Sequence, residues 1–116
     1  MQHIENWRIQ ELGLILEELV SILKQGENPE WAGVFDHFDS ELRQILSAKT
    51  IDPRALQRLI RNIKACYSSG SGFLALVLRA NQSRGQVRID LRFARTKADL
   101  WRSLEDLESR LIQYVH

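Results

Sequence analysis

The strongest constraint on the fold is the spacing of apolar residues, which recur three or four positions apart along much of the chain. This spacing matches a helical turn of about 3.6 residues and predicts amphipathic helices, each with one buried side. The first helix is predicted over residues 4–23 and the second over residues 29–47. Gly26, Asn28 and Pro29 favour a break between them, since glycine suits the position after a helix and proline cannot continue one.

A third helix is predicted to begin at Asp52-Pro53. The aspartate side chain accepts hydrogen bonds from unpaired backbone N–H groups, and the proline ring already has the backbone angle of the first helical position. The apolar stripe of this helix extends to Cys66 and Tyr67, and the serine- and glycine-rich residues 68–72 end it.

After the third helix, the helical period gives way to other patterns. Residues 73–78 form a continuous apolar run, which periodicity assigns to neither helix nor strand. Further along, apolar residues alternate with charged ones, as in a strand with one exposed face. These apolar residues are Val87, Ile89, Leu91 and Phe93. The pattern therefore favours a β-hairpin, with residues 81–85 as its polar, glycine-containing turn.

A fourth helix is predicted from Thr96 nearly to His116, because Thr96 and Asp99 have the spacing of a capping box. Its apolar stripe consists of Leu100, Leu104, Leu107 and Leu111, followed by Ile112 or Val115. The predicted fold is mainly α, a four-helix bundle-like single domain over residues 1–116 with a short β-hairpin between helices three and four. A chain of 116 residues, 44% of them hydrophobic, is long enough for one such core.

Composition narrows the classes of protein. The one cysteine, Cys66, excludes an internal disulfide or a multi-cysteine zinc site and makes the reducing cytoplasm the expected compartment. Because it lies on an apolar stripe, we expect its thiol to be buried. The N-terminal residues lack the pattern of a secretory signal, and no apolar run approaches the ~20 residues of a membrane span. No cofactor is expected.

The sequence contains no constellation typical of catalysis or metal binding. The histidines His3, His37 and His116 have no partner at helical ligand spacing. His37 is close in sequence to Asp36 and Asp39, but residues one and two positions apart do not face one another on a helix. We therefore expect a protein that is not an enzyme and holds no metal.

The charges are strongly segregated along the chain. Residues 1–42 have a net charge of −7, residues 43–97 of +10 and residues 98–116 of −2, although the whole chain has only +1. One interpretation is that acidic and basic helices pair within the domain, which stabilises it by about 0–1 kcal/mol for each exposed pair. A second is that the acidic residues 25–42 attract a basic protein partner by electrostatic steering.

The second interpretation predicts a partner-binding face on the second helix and the turn before it. We expect most of the area of all three tryptophans to lie in the core, with Trp31 best placed to anchor an interface. The predicted contact residues are Glu27, Glu30, Trp31, Asp36, Asp39 and Glu41. The alternative function is a nucleic-acid-binding or regulatory module that contacts phosphates through a basic segment. Its residues are Arg79, Arg84, Arg88, Arg92, Arg95 and Lys97.

Two short motifs resemble those of a bacterial family of uncharacterised small helical proteins. Glu30-Trp31-Ala32 is similar to the Trp-Ala that opens the second helix in that family. Residues 68–72 stand where the family has a Phe-Gly-Gly-Met-Gly-Ser element, and Leu74-Ala75 stands in place of its Asn-Asp, before the apolar Leu76-Val77-Leu78.

Members of such families are often immunity proteins encoded beside toxin genes, including those of contact-dependent growth inhibition. The resemblance extends over about residues 10–112. It implies a protein that binds and neutralises a cognate toxin, such as a nuclease, whose basic substrate cleft suits an acidic face. Whether the chain also forms a homodimer through an apolar helix face stays open.

Overall fold

The structure, a computed structural model, describes residues 4–79 and 83–114, and the regular secondary structure in these residues is helical throughout. Four helices follow one another: α1 (Asn6–Gln25), α2 (Pro29–Ser47), α3 (Pro53–Ala65) and α4 (Ser83–Tyr114). The prediction of a mainly helical, four-helix domain is confirmed. Across the described ranges, no helix combines the length and the apolar character that a membrane crossing requires.

Side-chain caps explain where α2 and α3 begin. The Asn28 carboxamide oxygen accepts a hydrogen bond from the Trp31 backbone N–H at 3.1 Å, and the Asp52 carboxylate accepts one from the Arg54 N–H at 3.0 Å. Each cap is followed by a proline in the first turn of the helix. The predicted bounds of α2 and the predicted start of α3 are therefore confirmed.

The helices form a closed, antiparallel ring in the order α1, α2, α3, α4, with α4 packed back against α1. Ion pairs between α1 and α4 show their relative direction. Arg8, in the first turn of α1, contacts Asp106 of α4 at 3.0 Å, whereas Glu18, later in α1, contacts Arg92 near the start of α4 at 2.6 Å. Short connections after α1 and α2 account for the antiparallel neighbours.

The core lies between the inward sides of all four helices. In α1 the fully buried residues are Ile9, Leu12, Leu16, Leu19, Ile22 and Leu23. In the second half of α4 they are Leu100, Leu104, Leu107 and Leu111, as the sequence predicts. Deeply buried aromatic rings join these leucines from α2 and from the connection between α3 and α4.

The predicted β-hairpin is wrong, because residues 87–93 belong to α4. Residues two positions apart on a helix are rotated by about 200°, so an alternating set divides into two opposite sides. Ile89 and Phe93 are buried, whereas Val87 and Leu91 are 62% and 68% exposed. Each pair has the four-residue spacing of a helix, and the alternation over seven residues resembled a strand only because both sides carry apolar residues.

Residues 73–78 form an irregular segment instead of a strand. Phe73 is fully buried, with its ring centroid 4.9 Å from that of Phe35 and 5.8 Å from that of Phe93. Leu78 is buried against the turn after α1, where the Gly26 carbonyl accepts a hydrogen bond from the backbone of residue 79. This segment therefore closes one end of the bundle.

Two helix boundaries also differ from the prediction. α4 begins at Ser83, so residues 83–85 are helical and the predicted turn at residues 81–85 is wrong for them. Residues 81 and 82 lie outside the described residues. Thr96 is a buried residue within α4 and not its start. α3 ends at Ala65, before Cys66 and Tyr67, whose backbones form a turn.

Candidate functional site

The side of α2 that points away from the core presents mainly negative charge, because Arg43, the exposed cation of this helix, is paired with Asp39 and Glu17. We name this surface the α2 outer face. It consists of Glu30, Gly33, Asp36, His37 and Ser40, all exposed. These residues lie opposite the side that buries Ala32, Phe35, Phe38 and Leu42. Each member of this set is three or four positions from at least one other member, and residues with these separations lie on the same side of a helix.

The acidic residues of this region have few positive partners. Glu30 and Asp36 form no ion pair with any described residue, and neither does Glu27. Glu27 lies in the turn between α1 and α2 with a positive φ of 58°. Glu27, Glu30 and Asp36 are therefore exposed and form no ion pair with the described part of the molecule.

Gly33 lies in the middle of the α2 outer face. A Cβ atom at this position would have no neighbouring atom within 4 Å. Glycine within a helix costs about 0.5–1 kcal/mol relative to alanine, and no contact in the free protein requires it here. Its lack of a side chain leaves a flat site where a partner backbone can approach α2 closely.

Glu41 lies at the border of this surface, where α2 faces α3. Its carboxylate contacts Nε2 of His37 at 2.7 Å. Both residues line a groove of about 710 Å³ between the two helices, together with Arg58 and Asn62. Glu41 is therefore partly engaged within the molecule, unlike Glu30 and Asp36.

Asp39 points towards α1 and is only 6% exposed. Its carboxylate contacts Arg43 at 3.0 Å, and Arg43 also contacts Glu17 of α1 at 2.9 Å. Burial raises the pKa of Asp39, although the neighbouring Arg43 opposes this shift. This carboxylate links α2 to α1, about one turn after the exposed Asp36.

Trp31 is half-buried and lies in an aromatic cluster. Its ring centroid is 5.1 Å from that of Phe73 and 6.1 Å from that of Phe35. The expectation that most tryptophan area is in the core is wrong for Trp7, which is 51% exposed beside Arg8. Of the six predicted contact residues, Glu30 and Asp36 come together on one surface, Glu27 and Glu41 border it, and Trp31 and Asp39 turn inward.

The described residues of the alternative function's basic segment lie in different environments on α4 and before it. Arg92 contacts Glu18 and also donates a hydrogen bond to Gln25 at 2.9 Å, so it faces α1. Lys97 lies 4.0 Å from the centre of the Phe93 ring, and burial lowers the pKa of Lys97. Arg79, Arg88 and Arg95 are exposed, and the Arg84 side chain lies outside the described residues. The described side chains of this segment therefore do not all lie on one exposed surface.

No group of three potential metal ligands occurs within residues 4–79 and 83–114. Cys66 is 9% exposed, and burial raises the pKa of Cys66, which keeps its thiol protonated and weakly nucleophilic. Gly33 was not among the residues predicted for a binding surface. The available signal was a glycine inside a predicted helix.

Comparison of the chain with protein-family models, with curated proteins and with solved structures finds no significant match. Any functional conclusion therefore depends on the surfaces themselves.

Proposed function

We propose that the protein is an immunity protein, which binds and neutralises a cognate bacterial toxin through the α2 outer face. The observation that carries this proposal is that Glu30 and Asp36, on either side of the open Gly33, are exposed and form no ion pair with the residues that the structure describes. Such a surface attracts a basic partner at long range and lets it approach the helix backbone at short range.

The chemistry of the partner follows from the charges. Carboxylates form their strongest hydrogen bonds with guanidinium groups, which also line the substrate clefts of nucleases. An acidic helix face in such a cleft occupies the arginines that otherwise bind phosphate. In this role the protein acts in the cytoplasm and needs no catalytic group of its own.

The first experiment is affinity purification of the tagged protein from lysate of its source cells, with and without nuclease treatment, followed by mass spectrometry. The expected result is one stoichiometric protein partner that survives nuclease treatment. Expression of that partner alone should then arrest growth, and co-expression with the protein should restore it. A non-toxic partner, or recovery of nucleic acid alone, contradicts the proposal.

Charge reversal locates the contact surface. The double variant Glu30→Lys with Asp36→Lys should lose protection and weaken partner binding at least tenfold, chiefly by slower association. Glu11→Lys is the matched control for the single change Asp36→Lys, because Glu11 is an exposed acid on α1 without an ion pair to any described residue. Equal loss of binding in these two single variants, or full protection by the double variant, rejects this surface.

A further inference from the structure

The outward side of α4 carries a stripe of apolar residues, which does not belong to the α2 outer face. Its residues are Val87, Leu91, Ala94, Ala98 and Trp101, spaced alternately by four and three positions. We name this set the α4 lane. Val87 is 62% exposed, Leu91 68% and Trp101 36%, and both alanines are exposed. The lane extends over about 21 Å of helix and has the spacing that helices use to pack along one another.

A row of arginines follows one edge of the α4 lane. Arg88, Arg95 and Arg102 each come one position after a lane residue and repeat every seven positions. Arg88 and Arg95 are exposed and form no ion pair with any described residue, whereas Arg102 pairs with Asp99 on the same helix. In a packed helix pair, these positions face the charged flank of the partner.

The shape of the lane favours a helix as the occupant. A helix that lies on a membrane surface has a wide apolar side with bulky residues, whereas this lane is one residue wide and contains two alanines. Small side chains let a second helix approach closely. Phosphates of a nucleic acid gain nothing from Val87 and Leu91 at the centre of the surface.

A second copy of this chain does not fit the charges. Two α4 helices packed lane to lane bring their arginine rows together when they are antiparallel. When they are parallel, Lys97 lies opposite Arg102 and its repulsion offsets the attraction between Asp90 and Arg95, so the pair gains no net charge complementarity. We propose that α4 docks an amphipathic helix of another protein, with apolar residues at heptad spacing and acidic residues beside them. This surface is separate from the α2 outer face.

The test uses a designed peptide of three heptads, with leucine at both core positions and glutamate at both flanking positions. Glutamates on both flanks keep the peptide from associating with itself. Fluorescence anisotropy of the labelled peptide should show saturable binding to the full chain. A second peptide, identical except for lysine at the flanking positions, should bind at least tenfold more weakly.

Matched variants distinguish binding at the α4 lane from nonspecific hydrophobic binding elsewhere on the protein. Leu91→Glu should reduce binding of the acidic peptide at least tenfold, whereas Leu14→Glu should not, because Leu14 is equally exposed, at 67%, but lies on α1, outside the α4 lane. Arg88→Glu with Arg95→Glu should reverse the preference towards the lysine peptide. The same change at Arg54 and Arg61, exposed on α3, should leave the preference unchanged.

Circular dichroism and thermal unfolding verify that each variant is folded. No binding of the acidic peptide, or binding that Leu91→Glu leaves unchanged, overturns the proposal. Binding to vesicles rich in phosphatidylserine or to duplex DNA, without binding to the peptide, also overturns it in favour of those partners. The variant with Glu30→Lys and Asp36→Lys should bind the peptide like wild type, which separates this proposal from the proposed function.

Discussion

At the scale of single residues, the two glycines near the α1–α2 region have opposite environments. A Cβ atom on Gly26 would lie 2.7 Å from the Leu78 Cβ, whereas one on Gly33 would meet no atom within 4 Å. Leu78 cannot move away without a cost in stability. Its Cβ is attached directly to the backbone, and the next residue, Arg79, donates its backbone N–H to the Gly26 carbonyl.

We therefore predict opposite effects of the same substitution. Gly26→Ala should destabilise the protein by about 1–3 kcal/mol, because the added methyl overpacks the closed end of the bundle. Gly33→Ala should stabilise it by about 0.5–1 kcal/mol, because alanine favours the helix and meets no obstacle. Urea unfolding of both variants measures these changes. A destabilised Gly33→Ala variant is incompatible with the open environment described here.

Tyr67 couples stability to alkaline pH. Its hydroxyl donates a hydrogen bond to the Lys97 carbonyl at 2.7 Å, and burial raises the pKa of Tyr67 well above its ordinary value of 10.0. The folded protein therefore keeps this proton at a pH where the unfolded chain loses it, so the free energy of unfolding falls as pH rises above about 10.

The substitution Tyr67→Phe isolates this effect. At pH 7 the variant should be less stable than wild type by about 1 kcal/mol, the value of one lost hydrogen bond. The difference should shrink as the pH is raised from about 9 to about 11, because phenylalanine has no proton to lose. Urea unfolding at several pH values measures the difference. A constant or growing difference would show that the phenol ionises in the folded state.

At the scale of elements, α4 shows how an alternating pattern can belong to a helix. Val87 and Leu91 form one row and Ile89 and Phe93 another, about 200° apart. α1 and the residues 73–78 cover only the second row, so one apolar row is buried and the other is exposed. The contacts of neighbouring elements, and not the local pattern, select the helix here.

This arrangement predicts that alanine substitutions within residues 87–93, where a hairpin strand was predicted, have unequal effects on stability. Ile89→Ala should cost about 2–5 kcal/mol, because the side chain is 5% exposed and its loss leaves a cavity. Leu91→Ala should change stability by no more than about 0.5 kcal/mol, because its side chain faces solvent. In a hairpin both would lie on one face, and both substitutions would be costly. Chemical unfolding of the two variants distinguishes the helix from the hairpin.

At the scale of the whole molecule, the charge segregation in the sequence is used in two ways. Part of it joins elements: Arg92 contacts Glu18 between α4 and α1, and Lys64 of α3 contacts Glu108 of α4 at 2.7 Å. Other charges form no ion pair with the described residues, including Glu30 and Asp36 on the α2 outer face and Arg88 and Arg95 beside the α4 lane. The interpretation as internal pairing therefore holds for the paired residues, and attraction of a partner stays a prediction for the others.

The predicted contact residues show how far a pattern of charges can locate a surface. The acidic residues of α2 point in different directions from the helix axis, because each residue is rotated by about 100° from the one before it. Asp36 is exposed, whereas Asp39, three positions later, is buried and paired with Arg43. α1 covers the side of α2 on which Asp39 lies. The sequence signals this only through the spacing of Asp39 from Phe35 and Leu42, and not through the pattern of charges.

The sequence by itself determined α1, α2, the start of α3 and the leucine core of α4. In these parts, periodicity, caps and breaks act between near neighbours and agree with one another. Only the tertiary structure decided the state of residues 73–79 and 83–95, because Phe73 packs against residues distant in the chain and α1 covers one side of a helix with two apolar rows. Local patterns do not contain those contacts, and for the same reason they could not show which charges and which apolar residues remain exposed.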